Sequence, residues 1–251
     1  MDHREQNEQQ QPAQERPMRR AEQQSGGVEG VGQTMRVMEM IEHKLSDAYR
    51  IPMKRSKVVV DISEMTDLIG QLRIVYAADI HKGGLMTAGR VADVISHINA
   101  ANDDLVLLGG DYATDSDGAI EFFRNLPRIH ARYGVYAVLG NHDRTIPESN
   151  LTTLRGAMQS AGVTPLINTV SRVHIGVSDV YIAGIDDAGN GHPDLKAVTS
   201  QVSSGDYVIF LSHSPAIIPE ALAAKDKNGQ QGWFDLGLFG HTHGGQIALL
   251  G

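Results

Sequence analysis

In Leu236-Gly237-Leu238-Phe239-Gly240-His241-Thr242-His243-Gly244-Gly245 a short apolar run gives way to glycine and then to two histidines one residue apart. If the run is a strand, His241 and His243 leave its carboxyl end. Side chains two apart on an extended segment point the same way, so both can face one cavity. Neutral imidazole is the commonest metal ligand among side chains. The flanking glycines allow positive φ and close approach of backbone to a ligand. Taken alone, the stretch reads equally well as surface histidines on a glycine-rich turn, and how the other apolar runs end decides between the two.

Outward from there, apolar segments alternate with helical patterns. Val58 to Ile62, Arg73 to Ala78, Leu105 to Leu108, Val135 to Leu139, Tyr207 to Leu211 and Leu236 to Phe239 read as strands. Helices are expected around Val91, Val94, Ile95 and Ile98, around Ile120, Phe123 and Leu126, near 150–161 and at 195–202. Such alternation gives an α/β layered fold with much parallel pairing. Thr164 to Ile167, Val170 to Ile175 and Val180 to Ala183 are shorter, and the last two look antiparallel, so the sheets are expected to be mixed. Ligands in open α/β sheets collect at the carboxyl ends of strands. Those ends read Asp79-Ile80-His81, Gly110-Asp111, Gly140-Asn141-His142-Asp143, Ser212-His213 and Gly240-His241-Thr242-His243. A cluster this consistent is not a set of solvated turns.

Carboxylate, amide and imidazole without thiolate suit manganese, iron, zinc or magnesium, not copper(I) or an iron-sulfur cluster. Asp79, His81, Asp111, Asn141, His142, His213, His241 and His243 are too many for one ion, so two are implied. Two ions close together clamp the attacking and leaving oxygens of a displacement at phosphorus.

Composition narrows the classes further. The 251 residues make one sizeable domain or two small ones, contain no cysteine and carry a formal net charge of -8. Disulfides, thiolate sites and cysteine nucleophiles are excluded, and a binder of long nucleic acid would need a basic face. No apolar run approaches the ~20 residues that cross a bilayer, and Arg19-Arg20 is not followed by the apolar core of an export signal. A cytoplasmic protein is expected. Residues 1–33, rich in Gln and Glu, are expected to be a disordered tail. Met35, Met38, Ile41, Leu45 and Tyr49 recur at helical spacing and predict an amphipathic helix over 34–52. It is expected to dock on the domain, with peripheral membrane contact as the alternative.

The strand-end blocks resemble the signatures of the calcineurin-like metallophosphoesterase superfamily. Gly184-Ile185-Asp186-Asp187, Asp194-Leu195 and His243-Gly244-Gly245-Gln246 resemble its bacterial branch of YkuE-type phosphoesterases and UDP-2,3-diacylglucosamine pyrophosphatases. The resemblance implies a four-layer α/β/β/α sandwich with mixed sheets over 53–251 and a dimetal site at the carboxyl ends of the strands. It implies that Asp79, His81 and His243 hold one ion, that Asn141, His213 and His241 hold the other, and that Asp111 bridges them. Manganese is the first candidate. A bridging hydroxide would attack phosphorus in line while His142 protonates the leaving oxygen. The substrate would be a small phosphoester or pyrophosphate, nucleotide- or lipid-linked. The alternative is a non-catalytic scaffold that keeps the fold for protein interaction, though none of the blocks is lost.

Two departures stand out. Many members carry, three residues after the bridging aspartate, an aspartate that orients the catalytic histidine. Thr114 stands there, so either Asp115 or Asp117 substitutes or His142 has no carboxylate partner. The chain also stops at Gly251, where relatives add strands, so a domain lacking its C-terminal strands is expected. Asp186 and Asp187 read as a capped turn, with Asp187 and His192 as weaker candidates for binding substrate. Lys225 to Gly232 reads as a lid or an exposed connection.

Overall fold

The computed structural model describes residues 72–101, 103–145 and 148–243, together with two further strands, Thr34–Met38 and Val58–Asp61. The tail expected over 1–33 and the chain beyond 243 lie outside the described residues. In chain order the elements are β1 Thr34–Met38, β2 Val58–Asp61, β3 Ile74–Ala77, α1 Ala88–Ala101, β4 Leu105–Leu108, α2 Ser116–Arg124, β5 Val135–Ala137 and α3 Glu148–Ser160. There follow β6 Val163–Pro165, β7 Thr169–Ile175, β8 Ser178–Gly184, α4 Leu195–Thr199, β9 Tyr207–Ser212, a 3-10 turn Pro215–Ile217, α5 Ile218–Ala223 and β10 Leu236–Phe239.

Two sheets form, ordered β2-β1-β3-β4-β5-β6 and β10-β9-β8-β7. Strands β1 and β3 to β6 pair in parallel, as do β8, β9 and β10. The β7–β8 pair is the expected antiparallel excursion, with Thr169 opposite Gly184 and Ile175 opposite Ser178.

Strand periodicity divides the core into three. Val106 and Leu108 of β4, with Val135 and Ala137 of β5, face Val91, Val94, Ile95 and Ile98 of α1 and Phe122 and Phe123 of α2. The alternate residues Leu105, Leu107 and Tyr136 turn the other way and meet Ile182, Ile209, Leu211 and Leu238 of the second sheet. The far face of that sheet, with Val208 and Phe210, packs on Val198, Ala221 and Trp233. Continuous apolar runs are therefore buried on both faces, as helix-covered parallel sheets require. The layers are α/β/β/α, as expected.

One expectation is corrected. The helix expected over 34–52 does not include its first residues, because Thr34–Met38 is strand, antiparallel to β2 and parallel to β3, with Val37 opposite Ile74. The free edge of β3 offers backbone hydrogen bonds to a segment containing Thr34 and Val37, and such pairing overrides a weak local period. The rest of that helix lies outside the described residues. A helix the spacing did not reveal, α5, follows Ser214-Pro215; the Ser214 side chain accepts from Ala216 N and proline takes the first turn. That pair is a recognisable start signal.

Candidate metal centre

The carboxyl ends of β3, β4, β5, β9 and β10 gather at one edge of the sandwich, and hydrogen bonds lace the loops that follow them. Asp79 N donates to Gly110 O at 3.0 Å, His81 N to Asp111 O at 2.9 Å and Gly240 N to His213 O at 2.9 Å. His241 N donates to the Asp79 carboxylate at 3.0 and 3.1 Å, and His142 N to Asp111 Oδ1 at 2.9 Å.

Among the described residues, six non-glycine residues have positive φ, and five of them are Asp79, His81, Asp111, His241 and His243. Such conformations cost roughly 1–3 kcal/mol each and persist where the surroundings over-determine them. Short polar side chains tolerate them best. The loops turn the donors inward at the expense of local backbone energy.

Potential donor atoms of Asp79, His81 and His243 lie within 4.8 Å of one another; the same holds for His81, Asp111 and His142, and for Asp79, Asp111 and His213. His241 belongs to none of these groups. Its Nδ1 lies 2.9 Å from Asn141 Oδ1, and its ring meets that of His213 edge to face at 5.2 Å.

The donor set fits cations. His81 Nε2 and His243 Nε2 face each other at 3.3 Å with nearly parallel rings. His213 is fully buried; Nδ1 donates to Gly109 O at 2.8 Å, while Nε2 lies 3.2 Å from Asp111 Oδ2 without hydrogen-bond alignment. A buried nitrogen left so, beside a carboxylate and other imidazoles, is what a metal ligand looks like. Glycine makes room: a Cβ on Gly140 would lie 2.2 Å from Asp111 Oδ1, and one on Gly110 2.6 Å from Gly140 N.

The electrostatics agree. Burial lowers the pKa of His81, with His243 and His142 adding to the effect and Asp111 opposing it. Burial also works against protonation of His213, but its contact with Asp111, the Gly109 carbonyl and Asp79 together push its pKa up to about 9. Burial raises Asp111, yet His213, the His142 N–H and His81 outweigh it and hold the carboxyl below the usual range.

The calcineurin-like phosphoesterase family model matches residues 72–245. The chain belongs to that family. It is 28% identical over 181 residues to the uncharacterized metallophosphoesterase YkoQ of Bacillus subtilis, covering 70% of this chain and 63% of that protein. YkuE of the same organism, also an uncharacterized metallophosphoesterase, is 29% identical over 181 residues, covering 70% and 60%. A transmembrane protein with metallophosphoesterase domain from Danio rerio is 28% identical over 211 residues, covering 78% and 46%. The matched region thus spans about half to two thirds of these relatives.

In this member of the family His142 is not oriented by a carboxylate. Its Nδ1 donates to the backbone carbonyl of Thr114 at 2.8 Å. Asp115, one expected substitute, instead caps α2 by accepting from Gly118 N. A backbone carbonyl stands in for the missing aspartate.

Residue identity alone gives Asp143 no role beside the donors. It is buried and accepts from Asp111 N at 2.7 Å, Gly140 N at 2.8 Å and Tyr112 N at 3.0 Å, tying two metal loops together. Burial pushes its pKa up to about 7, with Asp111 adding to the rise and the N–H donors opposing it.

Asp186 and Asp187 form a braced turn. Asp187 Oδ2 accepts from Gly189 N and Asn190 N at 2.9 and 2.6 Å, and Asp186 pairs with Arg144 at 3.0 Å. His192 is exposed, with its N–H on Asp186 and its carbonyl on Asn168. The polar stretch at 225–232 is not a lid. Asp226 anchors it to Ser204, Asn228 and Gln230, at the amino end of β9 and away from the metal edge.

Proposed function

We propose that the protein is a dimetal phosphoesterase that hydrolyses a small phosphoester or pyrophosphate. The observation that carries the reading is the convergence of carboxylate, imidazole and amide donors from five strand ends on one edge, with the buried His213 Nε2 aimed at Asp111. In this reading Asp79, His81 and His243 hold one cation, Asn141, His213 and His241 the other, and Asp111 both. When bound, two such cations bring the pKa of water down to about 7, supplying a nucleophile, and neutralise charge on the phosphoryl oxygens. Nitrogen and oxygen donors without thiolate suit several divalent ions, and manganese is the first to test.

His142 supplies the proton. With Nδ1–H engaged on Thr114 O, the remaining ring nitrogen, Nε2, carries the proton to the leaving oxygen, general acid catalysis worth roughly 10²–10⁴ in rate. Its ring meets that of His81 edge to face at 4.9 Å, beside the donors but turned away from the cluster at Nδ1. Two carboxylates against two dications leave the centre positive, which lets an acidic chain attract phosphate. Substrates of this class are small, with nucleotide- or lipid-linked phosphodiesters as the first series to try. No helix among the described residues is long and apolar enough to cross a membrane.

The test is elemental analysis of protein purified without chelator, with hydrolysis of a chromogenic phosphodiester and a phosphomonoester before and after metal removal. Two ions per chain and turnover lost with the metal are expected. D111N should abolish turnover and weaken loading, and a fully active D111N protein would refute the assignment.

A further inference from the structure

The loop at 185–194 is more heavily braced than a connection between β8 and α4 needs. Asp186 Oδ1 accepts from Asp187 N and Oδ2 from His192 N, both at 2.9 Å. Asn168, itself at φ +54°, reaches in from the start of β7; its Oδ1 accepts from Asp186 N and Asp194 N, and its Nδ2 donates to His192 O. A Cβ on Gly191 would lie 2.5 Å from the Asp186 carboxyl carbon, so the loop closes around that carboxylate only with glycine there.

This bracing aims two groups across the sandwich at the loop after β5. Arg144 Nη2 meets Asp186 Oδ2 at 3.0 Å, with side chains 4% and 2% exposed. Asn190 Nδ2 donates to Asn141 O at 2.8 Å. A buried ion pair gives up much of its attraction to desolvation and is a weak source of net stability; fixing one arrangement is its better-attested use. The arrangement fixed here is the turn carrying Asn141 and His142. The Asn141 side-chain oxygen, at the other end of that residue, faces His241.

We infer that Asn190 is a positioning residue of the metal centre: through the Asn141 carbonyl it sets the Asn141 side chain for the second cation, with the Arg144–Asp186 pair holding the loop in place. The inference rests on the proposed function for the cation and on the hydrogen bond for the clamp. Asn190 touches no reacting atom. Its effect travels through one backbone carbonyl, as partners behind a metal ligand commonly act.

The test uses the full chain with N190D, which keeps the shape and removes the N–H donor, and N190A. Asn190 is exposed, so neither variant threatens folding. The first readout needs no metal: hydrogen exchange of the metal-free protein, where the backbone amides at 140–145 should exchange several-fold faster in both variants while those of α1 are unchanged. The second is calorimetric titration with manganese(II), in which one of two sites should weaken by about 10–100-fold while the other and the melting temperature hold. Unchanged exchange and unchanged affinities would overturn the inference. Equal weakening of both sites with a lower melting temperature would show a merely structural role and overturn it too. Wild-type protein that binds fewer than two ions would instead overturn the proposed function, and the exchange readout would still decide whether the clamp exists.

Discussion

Replacing Asp111 with Asn in metal-free protein should move the ionisation of a residue on the other sheet. His213 is buried against Asp111, and its pKa stands at about 9 although burial alone opposes its charge. The gap from the ordinary 6.5 is worth about 3 kcal/mol in favour of imidazolium, and at pH 7.5 it leaves about thirty protonated rings for each neutral one. D111N deletes the charge and the carboxylate contact but leaves the burial. The His213 pKa should then fall well below 9, with the Gly109 carbonyl and Asp79 still opposing the burial.

The stability consequence has a definite sign. A folded pKa raised above the unfolded value contributes fully below about pH 6.5 and is lost as pH rises through about 9. Metal-free wild type should therefore lose about 3 kcal/mol between those limits, a fall of roughly 6–12 °C in melting temperature for a domain of this size. D111N should show a smaller dependence, because the two largest causes of the raised pKa are gone. Imidazole nitrogen NMR across pH 5.5–10 reads the ionisation directly, and thermal melts at matched ionic strength read the stability. A His213 that titrates near 6.5 in metal-free wild type, or that keeps its high pKa in D111N, would refute the reasoning.

Other outcomes follow from the same contacts. H142Q should cut turnover of substrates with poor leaving groups by about 10²–10⁴ and that of a nitrophenyl ester far less, with both metals retained by elemental analysis; loss of the metals would contradict the acid role. D143A strips the acceptor from three buried N–H groups at once, at about 1–3 kcal/mol each, so urea melts should show a loss of several kcal/mol. G140A drives a Cβ to 2.2 Å from Asp111 Oδ1; metal content should fall while circular dichroism keeps its helical signal. Chelation of loaded wild type should lower the melting temperature, because ions that bind only the folded chain stabilise it by mass action.

The edge where the donor residues gather was legible in the sequence because strand ends are local. An apolar run such as Leu105–Leu108 stops where the chain must turn, and the residues at the stop, Gly109-Gly110-Asp111, are read off without knowing what lies opposite. The antiparallel β7–β8 pair was legible for the same reason, since its partners are joined by a turn. Thr34–Met38 was not, because its fate depends on the open edge of β3, far along the chain. At Thr114 the residues left two outcomes open, a substitute aspartate or no carboxylate partner for His142. A side-chain reading looks for a carboxylate near His142, and a backbone carbonyl leaves no trace in residue identity.

The sequence by itself determined the alternation of strands and helices, the chemistry of the donors and the number of strand ends carrying them. All of these follow from periodicity and residue type within a few neighbouring positions. Only the tertiary structure decided which donors share a cluster, how Asp143 ties two loops through three backbone N–H groups, and how Asn190 and the Arg144–Asp186 pair reach across the sandwich. Those are contacts between segments tens of residues apart, made largely with backbone atoms that every residue carries. Their partners are set by the packing of the two sheets, which no local pattern encodes.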